Sequence, residues 1–287
     1  MTNTTAITRA LSAELVTAEA TRPTDNPDAL DYILQGRAVL KPHSRESHAE
    51  QIGLFERALA LDPHSVEAQS QLATVLISRV LEGWTDTAAA DIARAEELVS
   101  QALSASPRSP LAHFAKGQVL RAQNRYGEAI SEYDTVIAFN RNSVGALAAL
   151  ADCKLYVGPI EEVIPLQEQA LRLSPRDPNI SNMYARIGRV HALQSRTDEA
   201  IVWFEKARSA NPGMPQRHAA LASAYALKGE TDRGAAELAE ARRLSGDDRY
   251  SSIARLKTIV YFGVPKIRAL FEATYFDGLR KAGMPEE

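Results

Sequence analysis

Six histidines (His43, His48, His64, His113, His191 and His218) and a single cysteine, Cys153, are the side chains best able to bind a metal or attack a substrate. Their spacing supports neither chemistry. No pair has the H-E-x-x-H separation that sets two imidazoles on one helix face, and no histidine adjoins the cysteine as a second zinc ligand would. Cys153 stands between Asp152 and Lys154 in a stretch of helical pattern and reads as a buried, inert thiol. His191 takes a core phase. The acidic pairs Glu96-Glu97 and Glu161-Glu162 suit solvated helix faces and first-turn charges. Neither G-x-G-x-x-G nor G-x-x-x-x-G-K-[ST] occurs, so no phosphate cradle is expected. These residues predict no catalytic site, no cofactor and no metal: the chain is not expected to be an enzyme.

Composition narrows the partners. The 287 residues carry 33 basic and 36 acidic side chains, net -3, which gives no basic stripe for nucleic acid. Arg242-Arg243 and Arg280-Lys281 read as charges at helix C-termini that complement the dipole. One cysteine excludes an internal disulfide and suits a reducing compartment. No apolar run approaches the roughly 20 residues of a membrane helix, and Met1-Thr-Asn-Thr-Thr lacks the layout of a secretory signal. A cytoplasmic location is expected, with no nucleic acid and no membrane as partner.

The elements that would position side chains are helices. Aromatics make up 6% of the chain, and β-branched alternation never persists. Ile7, Leu11 and Leu15 share one face of a helix over Ala6 to Ala20. Asn26 before Pro27 predicts an N-cap with proline at the first helical position, and Ser109-Pro110 and Asp177-Pro178 repeat the device. Larger than any of these signals is a period. Closures at Asp62-Pro63, Ser106-Pro107, Asn140-Arg141, Ser174-Pro175, Asn211-Pro212 and Ser245-Gly246 recur at 44, 34, 34, 37 and 34 residues. Five and twelve residues before the second residue of each closure stand Ala58 and Gln51, Ala102 and Ala95, Val136 and Ala129, Ala170 and Val163, Ala207 and Ala200, Ala241 and Gly234. Such a period means helical hairpins that stack, because no single hairpin buries its apolar face alone.

The phases resemble the tetratricopeptide repeat. Repeat three carries Gly117, Leu120, Tyr126, Ala129, Tyr133 and Val136; repeat four Leu150, Ala151, Gly158, Val163, Ala170 and Pro175; repeat five Tyr184, Gly188, Ala200, Phe204, Ala207 and Pro212; repeat six Leu221, Ala222, Tyr225, Gly229, Gly234, Leu238 and Ala241. Repeats one (Phe55, Ala58, Pro63) and two (Leu72, Ala73, Leu76, Ala95, Ala102) fit more loosely. The resemblance implies an all-α fold, a right-handed α-solenoid of about six hairpins. Residues 1–28 would be an N-terminal helix and linker and 29–246 the array, divided at about 29–63, 64–107, 108–141, 142–175, 176–212 and 213–246. Residues 247–287 would be capping helices. Repeat two has ten extra residues around Ile77 to Ala90, so both its helices should be longer, with Thr85-Asp86-Thr87 capping the second. Pro165 predicts a kink or a late start in the second helix of repeat four. A short helix over about Tyr250 to Lys257 is expected, then a last one with Ile267, Phe271, Tyr275 and Leu279 at i, i+4 spacing and Gly283 as its stop.

By the same resemblance, ligands lie along a concave groove lined by the first helix of each hairpin. Carried over, the groove positions are Glu67, Ser70 and Thr74; Phe114, Gln118 and Arg121; Asp152 and Tyr156; Asn182 and Arg189; Gln216 and Ser223. The expected partner-binding residues are Phe114, Gln118, Arg121, Asp152, Tyr156, Asn182, Arg189, Gln216 and Ser223, a mixture suited to an extended protein or peptide segment. They lack the Lys/Asn clamp with which some family members hold a C-terminal carboxylate. Arg22 to Arg37, Ala200 to Pro212 and Gly263 to Phe276 also resemble the C-terminal portion of bacterial class III adenylate/guanylate cyclases and related multidomain regulators. The chain begins as though a larger domain preceded it. Three functions are therefore expected in order: an adaptor that binds a peptide in its groove; the regulatory module of a nucleotide cyclase or transcriptional regulator; and a structural element that self-associates through the aromatic C-terminal helix, which otherwise serves as a cap.

Overall fold

The computed structural model describes residues 28–39 and 44–287, and within them every regular element is helical. The chain divides into two compact units, one ending at Leu150 and the other beginning at Ala151. Unit 1 holds α1 (Ala29–Ala38), α2 (Arg45–Leu61), α3 (Val66–Leu81), α4 (Ala88–Ala105), α5 (Pro110–Ala122), α6 (Tyr126–Phe139) and the start of α7 (Val144–Val157). Unit 2 continues with α8 (Val163–Leu173), α9 (Ile180–Leu193), α10 (Thr197–Ala210), α11 (Pro215–Leu227), α12 (Thr231–Ser245), α13 (Ile253–Ile259) and α14 (Pro265–Phe271). A π-helical turn over Glu272–Phe276 then leads into α15 (Asp277–Lys281). The expected helix over Ala6 to Ala20 and the Asn26-Pro27 cap lie outside the described residues. α1 starts from Asp28, whose side chain and that of Asp31 form a reciprocal capping box.

Within hairpins the helices pair as α1 with α2, α3 with α4, α5 with α6, α9 with α10, and α11 with α12. In α1–α2, α5–α6 and α9–α10 what brings the helices together is a missing side chain. A Cβ on Gly117 would stand 2.5 Å from the Tyr133 ring, one on Gly188 2.7 Å from Phe204, and one on Gly36 2.6 Å from Phe55. The buried aromatic of the second helix thus lies directly on the backbone of the first.

A second device recurs once in each unit. His113 faces the Glu132 carboxylate at 2.6 Å through Nδ1 and the Pro107 carbonyl at 3.1 Å through Nε2. His218 faces Glu237 at 2.6 Å and the Pro212 carbonyl at 2.9 Å in the same way. Each histidine therefore ties the preceding closure to the second helix of its own hairpin. Glu132 also accepts from Lys116 at 2.7 Å. Burial pushes Glu132 up, but the bonds from His113 and Lys116 outweigh it and hold its carboxyl below the ordinary glutamate value.

Repeat two is longer, as expected: α3 has 16 residues and α4 has 18. Thr87 occupies the N-cap of α4, but its side chain makes no capping bond. Asp91 in the first turn instead receives Arg79 through Nε at 2.8 Å and through Nη2, joining the end of α3 to the start of α4. Pro165 falls in the first turn of α8, which begins late, after a 3₁₀ turn over Ile160–Glu162; there its missing N–H interrupts no ladder. α5 starts at Pro110 from its Ser109 cap. Asp177, however, closes a turn by accepting from the Asn179 amide at 3.0 Å, so α9 starts two residues beyond Pro178. α13 also starts later than expected, from a Ser252 cap, because Tyr250 is drawn into the core of unit 2.

Two outcomes are expected. Gly188→Ala pushes the Phe204 ring off its seat and destabilises unit 2 by about 1–3 kcal/mol in urea unfolding. Glu132 has a depressed folded-state pKa, so its stabilisation is present above the unfolded value near pH ~4.3 and is lost as pH falls through the folded one. Glu132→Gln should therefore be less stable at pH 7 and lose less additional stability on acidification, as read from unfolding midpoints between pH 7 and 3.

Candidate functional site

The residues expected along the groove lie on the first helices of the hairpins, and their surroundings differ between the two units. In unit 1 it contains a cleft of about 300 Å³ lined by Ser70, Gln71 and Thr74 of α3, Leu111 and Phe114 of α5, and Gly145 of α7 among others. Phe114 stacks on Tyr133 with ring centroids 5.8 Å apart. A Cβ on Gly145 would meet its ring at 3.4 Å, so the aromatic is held from two sides. The hydroxyls of Ser70 and Thr74, two of the lining residues, donate to the carbonyls of Val66 (2.7 Å) and Ser70 (2.9 Å). Among the described residues no charged side chain lines it.

Gln118 and Arg121 are engaged with each other. Gln118 Oε1 accepts from Arg121 Nη1 at 2.7 Å and from the Tyr133 hydroxyl at 3.2 Å. Asp152 is a clamp between helices: Arg186 reaches it through Nε at 2.7 Å and Nη2 at 3.1 Å, fixing α7 to α9. Asn182 acts likewise at the next hairpin, accepting from Arg217 Nη2, while Arg217 Nε donates to Ser181 at 3.0 Å. Gln216 stands in the first turn of α11, its Oε1 buried without a hydrogen-bond partner among the described residues.

Tyr156, Arg189 and Ser223 lie under the chain's own C-terminal segment. The Val264 amide donates to the Tyr156 carbonyl at 2.9 Å, and the rings of Tyr156 and Tyr261 are 5.9 Å apart. Arg189 donates to the Tyr156 hydroxyl at 3.2 Å and lies 6.0 Å from the centroid of Phe271. Ser223 donates to the Tyr275 carbonyl at 2.9 Å. A Cβ on Gly278 would come within 2.4 Å of the Ser223 backbone oxygen, so this glycine lets α15 touch α11. Burial pushes the Tyr250 hydroxyl up to about 12 and raises Tyr275 as well. Burial also opposes the Arg189 charge, yet Tyr156, Tyr275 and Asp152 around it hold its pKa above the ordinary arginine value.

The C-terminal aromatics therefore point into unit 2. Phe262, Phe271, Phe276 and Leu279 are buried in its core. The π-helical turn changes the expected spacing: the extra residue carries Phe276 into the core position and leaves Tyr275 half-buried. The sequence signal for this covering was the run of alanines at groove phases of unit 2. Ala185, Ala219 and Ala226 are buried there, where repeat three carries Phe114 and Arg121 at the equivalent steps.

Among the described residues no three His, Cys, Asp or Glu side chains converge as metal ligands, and no helix is long and apolar enough to cross a membrane.

Residues 81–143 match the tetratricopeptide repeat family model. Superkiller complex protein 3 of Mus musculus is 26% identical over 163 residues, 54% of this chain but 9% of that protein, so the chain spans a small fraction of this curated relative. In the crystal structure of the APC/C hetero-tetramer Cut9-Hcn1, a similar chain aligns over 86% of this one and 45% of its own length, at 15% identity and TM-score 0.65. The human IFIT1 dimer with PPP-AAAA aligns over 77% and 50%, at 17% identity and TM-score 0.60. Pseudomonas aeruginosa pilF aligns over 76% and 92%, at 16% identity and TM-score 0.52. At these identities the structures speak to fold alone. The fold is an all-α solenoid of tetratricopeptide type.

The Asp152–Arg186 clamp gives a direct test of the structural role assigned to a groove residue. Arg186→Met removes the bidentate partner of a largely buried carboxylate and is expected to destabilise the chain by roughly 3 kcal/mol. Asp152→Asn/Arg186→Met together should recover some of that loss in urea unfolding, which a solvated Asp152 would not allow.

Proposed function

We propose that this chain is a protein–protein interaction module that holds an extended peptide segment in the cleft of unit 1. The single observation that carries the reading is the cleft itself: an anchored aromatic, Phe114, beside the acceptors Ser70 and Thr74 and the amide of Gln71, in a hollow without charged walls. An apolar ligand side chain would rest on Phe114, and ligand backbone N–H groups would meet the hydroxyl oxygens. A charged anchor would be stripped of water there without a partner. Gln118 and Arg121, already hydrogen-bonded to each other, form the end of this surface. The tetratricopeptide architecture suits such a role because its hairpins present extended surfaces. A regulatory module of a nucleotide cyclase or transcriptional regulator remains an alternative that rests on sequence resemblance alone. Self-association through the C-terminal aromatics has less support, because most of those rings are buried within unit 2.

The test is selection of a displayed random-peptide library on the full-length chain. Enriched peptides should share an uncharged apolar residue. Gln71→Ala and Phe114→Ala should each weaken the best peptide, the latter at least about tenfold, or ~1.4 kcal/mol. Circular dichroism checks that both variants keep their helix content. Enrichment of peptides insensitive to both substitutions would remove the cleft from the function.

A further inference from the structure

One helix of unit 1, α3, borders two hollows. Glu67, Gln71 and Thr74 stand at i, i+4 and i+7 along a single face of it. Gln71 and Thr74 line the uncharged cleft beside Phe114. Glu67 lines a second hollow, of about 680 Å³, together with Asp28, Leu30 and Ile33 at the start of α1 and Leu61 and Asp62 at the end of α2.

The second hollow combines apolar surface with negative charge. Leu30 and Leu61 are each 56% exposed. Three carboxylates, Asp28, Asp62 and Glu67, share the hollow with them, and among the described residues a single cation, Arg37, pairs there, 3.1 Å from Glu67. Asp28 accepts from the Asp31 amide at 3.0 Å and Asp62 from the His64 amide at 3.1 Å, each through Oδ1. Among the described residues their Oδ2 atoms have no donor. Both aspartates are exposed, so a cation can meet them without being stripped of water. A lysine or arginine suits such a place, since its methylenes cover leucine surface while its charge stays with the acids and solvent.

The face of α3 that joins the hollows can also guide a chain across. Gln71 has no side-chain hydrogen bond among the described residues, so its amide is available to a ligand backbone. Packed helices stand roughly 8–10 Å apart, and an extended chain advances ~3.3 Å per residue, so a ligand crossing α3 passes from one hollow to the other in about three residues.

We propose that the peptide held in the cleft carries a lysine or arginine about three residues from its apolar anchor, seated against Leu30 and Leu61 among Asp28, Asp62 and Glu67. This basic-residue site rests on the peptide-binding reading of the cleft, and the two fail differently.

Displayed libraries that fix leucine at one position and lysine, alanine or glutamate about two to four positions away, on either side, are panned on the full-length chain. On one side, retention should rise about three- to fivefold from alanine to lysine, the size expected of a partly exposed charge pair, and fall for glutamate. Added salt should shrink the difference. Asp62→Asn/Glu67→Gln, which keeps the side-chain shapes and the acceptor for the His64 amide, should remove the lysine preference while retention stays sensitive to Phe114→Ala. Circular dichroism and urea midpoints check that the double variant is folded. Equal retention of the lysine, alanine and glutamate libraries, with sensitivity to Phe114→Ala intact, overturns the proposal and leaves the cleft reading standing. Retention insensitive to Phe114→Ala removes both. A lysine preference that survives Asp62→Asn/Glu67→Gln also overturns the proposal. So does a doubled mass in light scattering that Leu30→Ser/Leu61→Ser reverses, which would give the leucines to a second copy of this chain.

Discussion

The contact between Tyr133 and Gly117, repeated by Phe204 on Gly188 and Phe55 on Gly36, is the constraint on which the rest of this structure depends. It sets how closely the two helices of a hairpin approach, and so where every other side chain of the first helix points. The same phases show compensation in volume. Gly36, Gly117 and Gly188 are matched with Phe55, Tyr133 and Phe204, whereas Ala73 and Ala222 are matched with the smaller Val99 and Leu238. When the first helix gains a methyl group, the second gives up a ring. Cores tolerate substitution when total volume is kept, and the alternation keeps it. The sixth pair, Ala151 with Gln167, departs by burying an amide at the ring position.

That fixed approach leaves the outward phases of the first helices free to diverge, and they do. In repeat three they are large, Phe114 and Arg121, and the surface beside Phe114 is an open apolar cleft. In repeats five and six several are alanine, and a helix carrying aromatics lies over them. Alanines on a solvated helix face would indicate little more than helix propensity. Here they mark burial, because Ala219 is fully shielded and Ala226 nearly so.

The repeat architecture was legible in the sequence because hairpin packing is local and periodic: each small residue meets a partner a fixed distance along the chain. The longer helices of repeat two followed from the same counting, and the late start of α8 from the missing N–H of Pro165. The groove was less legible, for a physical reason. A groove phase says which way a side chain points, but not whether it meets a partner: Asp152 and Asn182 pair with arginines 34 and 35 residues on, about one period away, whereas Gln118 is reached by Tyr133 from the second helix of its own hairpin. The C-terminal covering is a still longer-range contact, 52 residues between Ser223 and Tyr275. The π-helical turn also defeats the i, i+4 spacing that would have placed Tyr275 inward. The histidine device was visible after the fact: a histidine six residues past a closing proline, with a glutamate nineteen residues further on, occurs at His113 and His218.

Polar side chains on the first helices therefore do two kinds of work. Where a partner of opposite charge lies on the adjacent hairpin, as with Asp152 and Arg186, the pair fixes register. Apolar stacking alone is non-directional and would allow the hairpins to slide, whereas a bidentate carboxylate–guanidinium contact holds at one offset. Where a charge is buried without such a partner, it contributes nothing to register. Arg189 lacks a bidentate carboxylate: it donates to the Tyr156 hydroxyl and faces the Phe271 ring, with Asp152 acting on it through charge alone. A hydrophobic residue of similar volume would seal the same interface without burying a charge. The guanidinium is thus held by one hydroxyl, an aromatic face and the charge of Asp152, a contact with less directional constraint than the Asp152–Arg186 pair.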